Sequence, residues 1–193
     1  MNSSYNNNDI IQFDPNSADF AKEIIRRSGV NIHLCWHCKT CSGGCPFSEY
    51  MNYFPNQIIR LVQLGMKQAA LTSSAIWICV GCNTCSTQCP QAIDMAAVMD
   101  ALRQTAMKEG VPAAEPHVLD FHREVMNSIR RHGRTHKLEI MMRYKLSKKD
   151  WFSDMDVGLK MLQKRKLDLM PSRVDHLSVI QQLFKLSREA PHD

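Results

Sequence analysis

The chain has 193 residues, 44% of them hydrophobic and 22% charged, with a formal net charge of +5 at pH 7. That length and balance suit one compact domain, or one domain with an appended segment, and supply a real hydrophobic core. They exclude a membrane-spanning chain, since no stretch approaches the roughly 18 apolar residues that a span requires, and the start has neither a positive n-region nor an apolar h-region, so the expected location is the cytoplasm.

Taken in order, the chain reads as helix after helix. The first eight residues are polar and Asn-rich, and residues 1–15 are expected to form a flexible tail. Asn16 with Asp19 three residues on predicts a capped helix through DFAKEIIRRSG, with Phe20, Ile24 and Ile25 on one face and Gly29 at its end. Pro55 sits where a helix starts, because its missing N–H would have no partner there. The stretch NQIIRLVQLGMKQAAL then carries Ile58, Leu61, Val62 and Ala69 at helical spacing. A further helix places Met95, Val98, Met99, Leu102 and Ala106 on one side, and Gly110 with Pro112 ends it. Beyond it, a helix is predicted from Pro116 to about Arg131, with Gly133 as its break. Ser153 with Asp156 predicts another over DMDVGLKMLQKRK, and a last one runs near HLSVIQQLFKLSRE. No run of alternating polarity suggests strands. The fold class is all-α.

Between these helices lie two copies of one pattern. CWHCKTCSGGCP begins at Cys35 and CVGCNTCSTQCP at Cys79; both are C-x2-C-x2-C-x3-C-P. Together they use all eight cysteines, and Thr40 matches Thr84 as Ser42 matches Ser86. A disulfide scaffold is a poor reading, because such scaffolds are small, secreted and loop-rich. Structural zinc also takes four thiolates, but usually from two separated C-x2-C pairs. A packed triplet with an outlying Cys-Pro is the bacterial [4Fe–4S] run, whose fourth cysteine serves the other cluster. On that rule Cys35, Cys38, Cys41 and Cys89 hold one [4Fe–4S] cluster, while Cys79, Cys82, Cys85 and Cys45 hold the other. The long helical segment between the motifs points to an alpha-helical ferredoxin-like domain over 16–118, with two cysteine-rich cluster-binding loops. Residues 119–193 form a helical extension.

The residues around the cysteines differ between the copies. His37 and Lys39 stand in the first where Gly81 and Asn83 stand in the second. Cations near a cluster favour its reduced form, so the first cluster is expected to have the higher potential. Trp36 and Trp77 are expected to shield the clusters or to pack as core. His33 and His37 are not needed as ligands once four cysteines serve each cluster. From Phe121 to Asp150 there are nine Lys or Arg against three acidic residues, a solvated basic face or a docking surface. With no recognition motif or stacking platform, no nucleic-acid binding is expected.

The order of segments resembles a known family. LCWHCKTCSGGCPF, YFPNQIIRLVQLG, IWICVGCNTCSTQCPQAID, MDALRQTA and, from Gly133, GRTHKLEIMMRYKL are similar to the C subunit of heterodisulfide reductase, its iron–sulfur electron-transfer component. The likeness runs from Phe20 to Asp150. It implies an electron-transfer component with two [4Fe–4S] clusters, relaying electrons between a flavin-containing A subunit and a B subunit that reduces a disulfide. It also implies that no substrate-reducing site, and so no catalytic residue, lies on this chain, and that the extension docks one of these partners. Two related families are expected to be excluded: the 34 residues ahead of Cys35 hold no plant-type ferredoxin cysteines, and no CCG motif is present. A freestanding ferredoxin-type carrier and a zinc-stapled interaction module are the alternatives.

Overall fold

The computed structural model describes residues 17–148, 163 and 174–189. Among the described residues every regular element is helical, and none of these helices is long and apolar enough to cross a membrane. The expected tail at residues 1–15, the Asn16 cap and, apart from helical Gln163, the helix expected over DMDVGLKMLQKRK lie outside the described residues.

The backbone divides into two compact units, the first ending at Pro116 and the second beginning at His117. In the first, α1 (Ser17–Ser28) ends where Gly29 takes a φ of +68°, a left-handed value that glycine adopts without strain. Phe20 and Ile24 are buried as their spacing predicts, while Ile25 is only half-buried. Next come α2 (Thr40–Gly43) and α3 (Pro55–Gln63), the latter with proline at its first turn and Gln57 accepting from the Phe54 N–H.

The single helix expected after Pro55 is in fact two. Gly65, at φ +66°, closes α3, and α4 (Lys67–Leu71) starts afresh two residues on. The restart turns Ala70 and Leu71 into the core in place of Ala69, so the apolar spacing is right for each piece but not across both. Two short helices follow, α5 (Ala75–Ile78) and α6 (Thr84–Thr87), and then the long α7 (Met95–Lys108).

Helix α7 is the spine of this unit. It packs against α1, α4, α5 and α6, while α3 packs against α1, α2 and α4, and α2 meets α6. Met95, Val98, Met99, Leu102 and Ala106 are all buried, as the sequence spacing predicts. With buried Ile24, Ile32, Ile58, Val62, Leu71 and Ile76 they make up a core that is almost wholly aliphatic. Buried Thr105 satisfies its hydroxyl on the Ala101 carbonyl, and buried Ser73 donates to Asn52 Oδ1 at 2.7 Å.

The second unit holds α8 (Pro116–His132), α9 (Lys137–Lys148) and α10 (Leu177–Glu189). The break at Gly133 occurs where predicted, at φ +78°. Helix α9 has little apolar periodicity and was not legible in the sequence as a helix; it is held through contacts of its first turn. The His136 N–H donates to the buried Ser128 hydroxyl at 2.9 Å, Ile140 is buried, and Phe121 meets Tyr144 edge-on at 5.7 Å. The basic stretch is partly neutralised: Glu139 accepts from His132 Nε2 at 2.8 Å, from Arg143 Nε at 3.1 Å and from Arg131. Burial pushes the Glu139 carboxyl up, but His132, Arg131 and Arg143 more than offset it and hold it below the ordinary value.

This packing sets two expected outcomes. Leu102→Ala, at a fully buried site on the spine, lowers stability by about 2–5 kcal/mol in denaturant titration. Because the folded-state pKa of Glu139 is depressed, its contribution is present above the ordinary value of 4.5 and is lost as pH falls through the lower folded value. Glu139→Gln therefore weakens the second unit at neutral pH and flattens its acid dependence below pH 4.5, read by circular dichroism.

Candidate metal centres

Each motif is built the same way. One helical turn leads into the first cysteine, whose N–H bonds three or four residues back: Cys35 to the Ile32 carbonyl at 3.2 Å, Cys79 to that of Ala75 at 3.1 Å. The residue before the second cysteine then takes a left-handed φ, +54° at His37 and +66° at Gly81. So does the residue after it, with Lys39 at +64° and Asn83 at +60°. These paired left-handed residues curl the chain tightly enough for three thiols at x2 spacing to face one centre. His37 adopts a conformation that its matching residue reaches freely as glycine. Its ring is braced by Gln63 Oε1 at 2.9 Å, and Gln63 in turn donates to the Ile32 carbonyl at 2.8 Å.

The short helices α2 and α6 carry the third cysteines, and hydroxyls brace both. Ser42 donates to Asn56 Oδ1 at 2.6 Å and accepts from the Asn56 N–H at the start of α3. In the second copy, Ser86 donates to Asp94 Oδ1 at 3.1 Å and accepts from the Met95 N–H at the start of α7. The Thr40 hydroxyl lies 3.2 Å from Cys38 Sγ, and Cys82 Sγ is 3.4 Å from that of Thr84. The matched Thr and Ser were visible as repeats in the sequence. Their roles were not, because their partners lie on the following helices.

Two chambers result. One is lined by Cys35, Cys38, Cys41 and Cys89. The other is lined by Cys45, Cys79, Cys82 and Cys85. The fourth cysteine of each motif thus opens into the chamber of the other. All eight thiols are free. Among the described residues no three His, Cys, Asp or Glu side chains gather closely enough to grip one bare metal ion; the thiols are spread around the chambers instead.

The chemistry of the donor set fits an anionic-ligand, metal-rich group. Hydrogen bonds from the Thr40 and Thr84 hydroxyls and N–H groups lower the pKa of Cys38 and Cys82, favouring thiolates at the exposed rim. Deeper in, burial pushes the Cys41 thiol up against the opposing Ser42 hydrogen bond, and the charges of Cys35 and Cys38 add to it. Burial and the Cys79 charge, with smaller contributions from Cys41 and Cys45, push Cys85 up to about 11, although Ser86 opposes them. Buried thiols of this kind become thiolates readily only beside positive charge.

Among the other expected site residues, Trp36, His37 and Lys39 line the first chamber. Trp36 is 73% exposed, so it borders the chamber from the solvent side rather than packing as core. Trp77 is buried in the core and lines neither chamber, and its indole N–H has no acceptor among the described residues. Val80, the residue matching Trp36, lines the second chamber and is 62% exposed. His33 is exposed and its backbone N–H donates to Asn31.

These features fit a helical domain that holds two iron–sulfur clusters. Residues 31–93 match the family described as "4Fe-4S dicluster domain", so the chain carries such a domain, with two [4Fe–4S] clusters as its cofactors. More particularly, the chain is similar to the C subunits of heterodisulfide reductases. It is 32% identical over 95 residues to the C subunit of the H(2):CoB-CoM heterodisulfide,ferredoxin reductase of Methanothermobacter thermautotrophicus, covering 49% of this chain and 51% of that one. Against the iron–sulfur C subunit of the CoB--CoM heterodisulfide reductase of Methanopyrus kandleri the identity is 32% over 84 residues, 44% of each chain. The C2 subunit of an H(2)/formate:CoB-CoM heterodisulfide,ferredoxin reductase from Methanococcus maripaludis is 34% identical over 87 residues, 45% of this chain and 46% of its own. The chain spans about half the length of the relatives it matches. The dicluster domain is thus the part of the chain that is related to these subunits.

The opposed pKa shifts predict an order of reactivity. In metal-free protein at pH 8, brief exposure to iodoacetamide modifies Cys38 and Cys82 ahead of Cys41 and Cys85, read by mass spectrometry. Equal rates at all four would mean that the local hydrogen bonds do not survive without the clusters.

Proposed function

We propose that the chain is the iron–sulfur electron-transfer subunit of a heterodisulfide reductase-like complex, passing electrons between a flavin-containing A subunit and a disulfide-reducing B subunit. The observation that carries this reading is the sorting of eight cysteines into two chambers of four, each drawing on both motifs. It lies in the part of the chain that matches the dicluster domain. In this reading Cys35, Cys38, Cys41 and Cys89 hold one cluster, and Cys79, Cys82, Cys85 and Cys45 hold the other. A [4Fe–4S] cluster supplies one-electron chemistry at a potential set by charge, hydrogen bonds to sulfur and solvent access.

The protein's own residues do the rest. Thr40 and Thr84 stabilise the rim thiolates, and Ser42 and Ser86 lock the short helices onto α3 and α7. Exposed Trp36 and Val80 leave each chamber close to a surface that a redox partner can reach. No residue on this chain is assigned a role in reducing the disulfide. We place the dicluster domain over residues 16–118 and assign the segment from 119 onward to docking of another component of the complex.

Protein purified without oxygen is expected to contain about eight iron and eight acid-labile sulfide per chain, and to give the EPR signal of two interacting cubanes after dithionite. Cys89→Ser and Cys38→Ser alter the same signal, while Cys45→Ser and Cys82→Ser alter the other. If Cys89→Ser instead groups with Cys82→Ser, each motif keeps its own fourth ligand. Zinc without sulfide would overturn the electron-transfer reading. A tagged full-length chain is expected to retain its partners through purification; one that purifies alone from its native host is a freestanding carrier.

A further inference from the structure

The two motifs share one more contact, and there the repeat breaks in charge. Helix α3 begins at Pro55 and α7 at Met95, and the ninth residue of each reaches back to the turn leading into the first cysteine. On α3 this residue is Gln63, which donates to the Ile32 carbonyl at 2.8 Å. On α7 it is Arg103, whose Nε donates to the Ile76 carbonyl and whose Nη2 donates to the carbonyl of Cys79. Ile32 and Ile76 hold the same place, three residues before the first cysteine of each motif. A neutral amide and a charged guanidinium therefore perform the same clasp.

We propose that Arg103 is a positioning residue that separates the two clusters in potential, making the one held by Cys79, Cys82, Cys85 and Cys45 the easier to reduce. This rests on the ligand assignment proposed above. Reduction adds negative charge, and a guanidinium, which stays charged at working pH, favours it when close and poorly screened. Arg103 has a side chain only 16% exposed and touches the backbone of a cysteine ligand. Its acidic neighbour Asp100 stands 3.9 Å away with a side chain 58% exposed, so solvent weakens its compensation.

The other charges near the chambers are weaker influences. Lys39 and Arg60 flank the first chamber and its Gln63 clasp, but both are exposed and their fields are damped by water and salt. Asp94 stands in the second copy where Asn56 stands in the first. It is exposed, and its charge is offset by the α7 N-terminus that it caps through the Ala97 N–H. The order of potentials is the reverse of that expected from Lys39 and His37 in the sequence.

The test is a potentiometric EPR titration of the anaerobic full-length protein, with signals assigned through the Cys89→Ser and Cys45→Ser variants. Arg103→Gln, which copies the first clasp, shifts the second cluster to lower potential and leaves the first in place. Arg103→Lys keeps the charge and keeps the potential near that of the wild type. Gln63→Arg shifts the first cluster to higher potential. If Arg103→Gln retains both clusters and moves neither, or moves both equally, the proposal is overturned. If Arg103→Gln loses iron, Gln63→Arg decides: an unmoved first cluster overturns the proposal, and a raised one supports it. Wild-type protein lacking two cubanes would overturn the ligand assignment and this inference with it.

Discussion

Eight thiols stand around two neighbouring chambers, and a thiolate buried there is stable only beside opposite charge. Cys85 shows this most, its thiol pushed up to about 11 by burial first and then by the charges of Cys79, Cys41 and Cys45. Positive charge at the centre of each ring, which is what iron supplies, offsets both. The aliphatic core, in which α1 packs on both α7 and α3, holds the helices in place, and the cysteine-bearing α2 and α6 meet beside the chambers. In the proposed crossed arrangement each cluster would bond both motifs, and cluster assembly would be coupled to folding.

The repeat reaches further than the cysteines and is not perfect. Left-handed turns, a Thr beside the second thiol and a Ser braced on the following helix recur in both halves, because each half must aim three thiols at one point. The differences fall at the margins of that task. His37 replaces Gly81 at a left-handed position and is held by Gln63. Trp36 replaces Val80 at the exposed border. Geometry is thus kept common to both sites, while charge and access are free to differ. That is the latitude an electron carrier needs, since ligands define a cluster and its surroundings define its potential.

Much of the fold was legible in the sequence, for identifiable reasons. Helix α7 was readable because five apolar residues at helical spacing run between a cysteine motif and a Gly/Pro stop. Helix α9 was not, because its face is held by Ser128, His132 and Arg131 on α8 rather than by a stripe of its own. The join of α3 to α4 was read through, since a glycine inside a periodic segment is tolerated in many helices, and only the backbone reveals its left-handed turn. Trp77 and Trp36 were indistinguishable by residue type; one proved to be core and the other rim.

The sequence by itself determined the chemistry: the number of thiols, their x2 and x3 spacing and the doubled pattern name the kind of group the protein holds. Such spacing is local, and local chain geometry limits which thiols of one motif can face one centre. The doubled run also predicted that the fourth cysteines cross, and the chambers draw on them that way; tertiary structure alone decided how Gln63 and Arg103 came to hold the same post. The motifs lie 44 residues apart but the helices that follow begin 40 apart, so alignment on the cysteines pairs Gln63 with Met107 and hides its true counterpart. The connection after Pro46 is longer than that after Pro90, and only the packed helices absorb the difference.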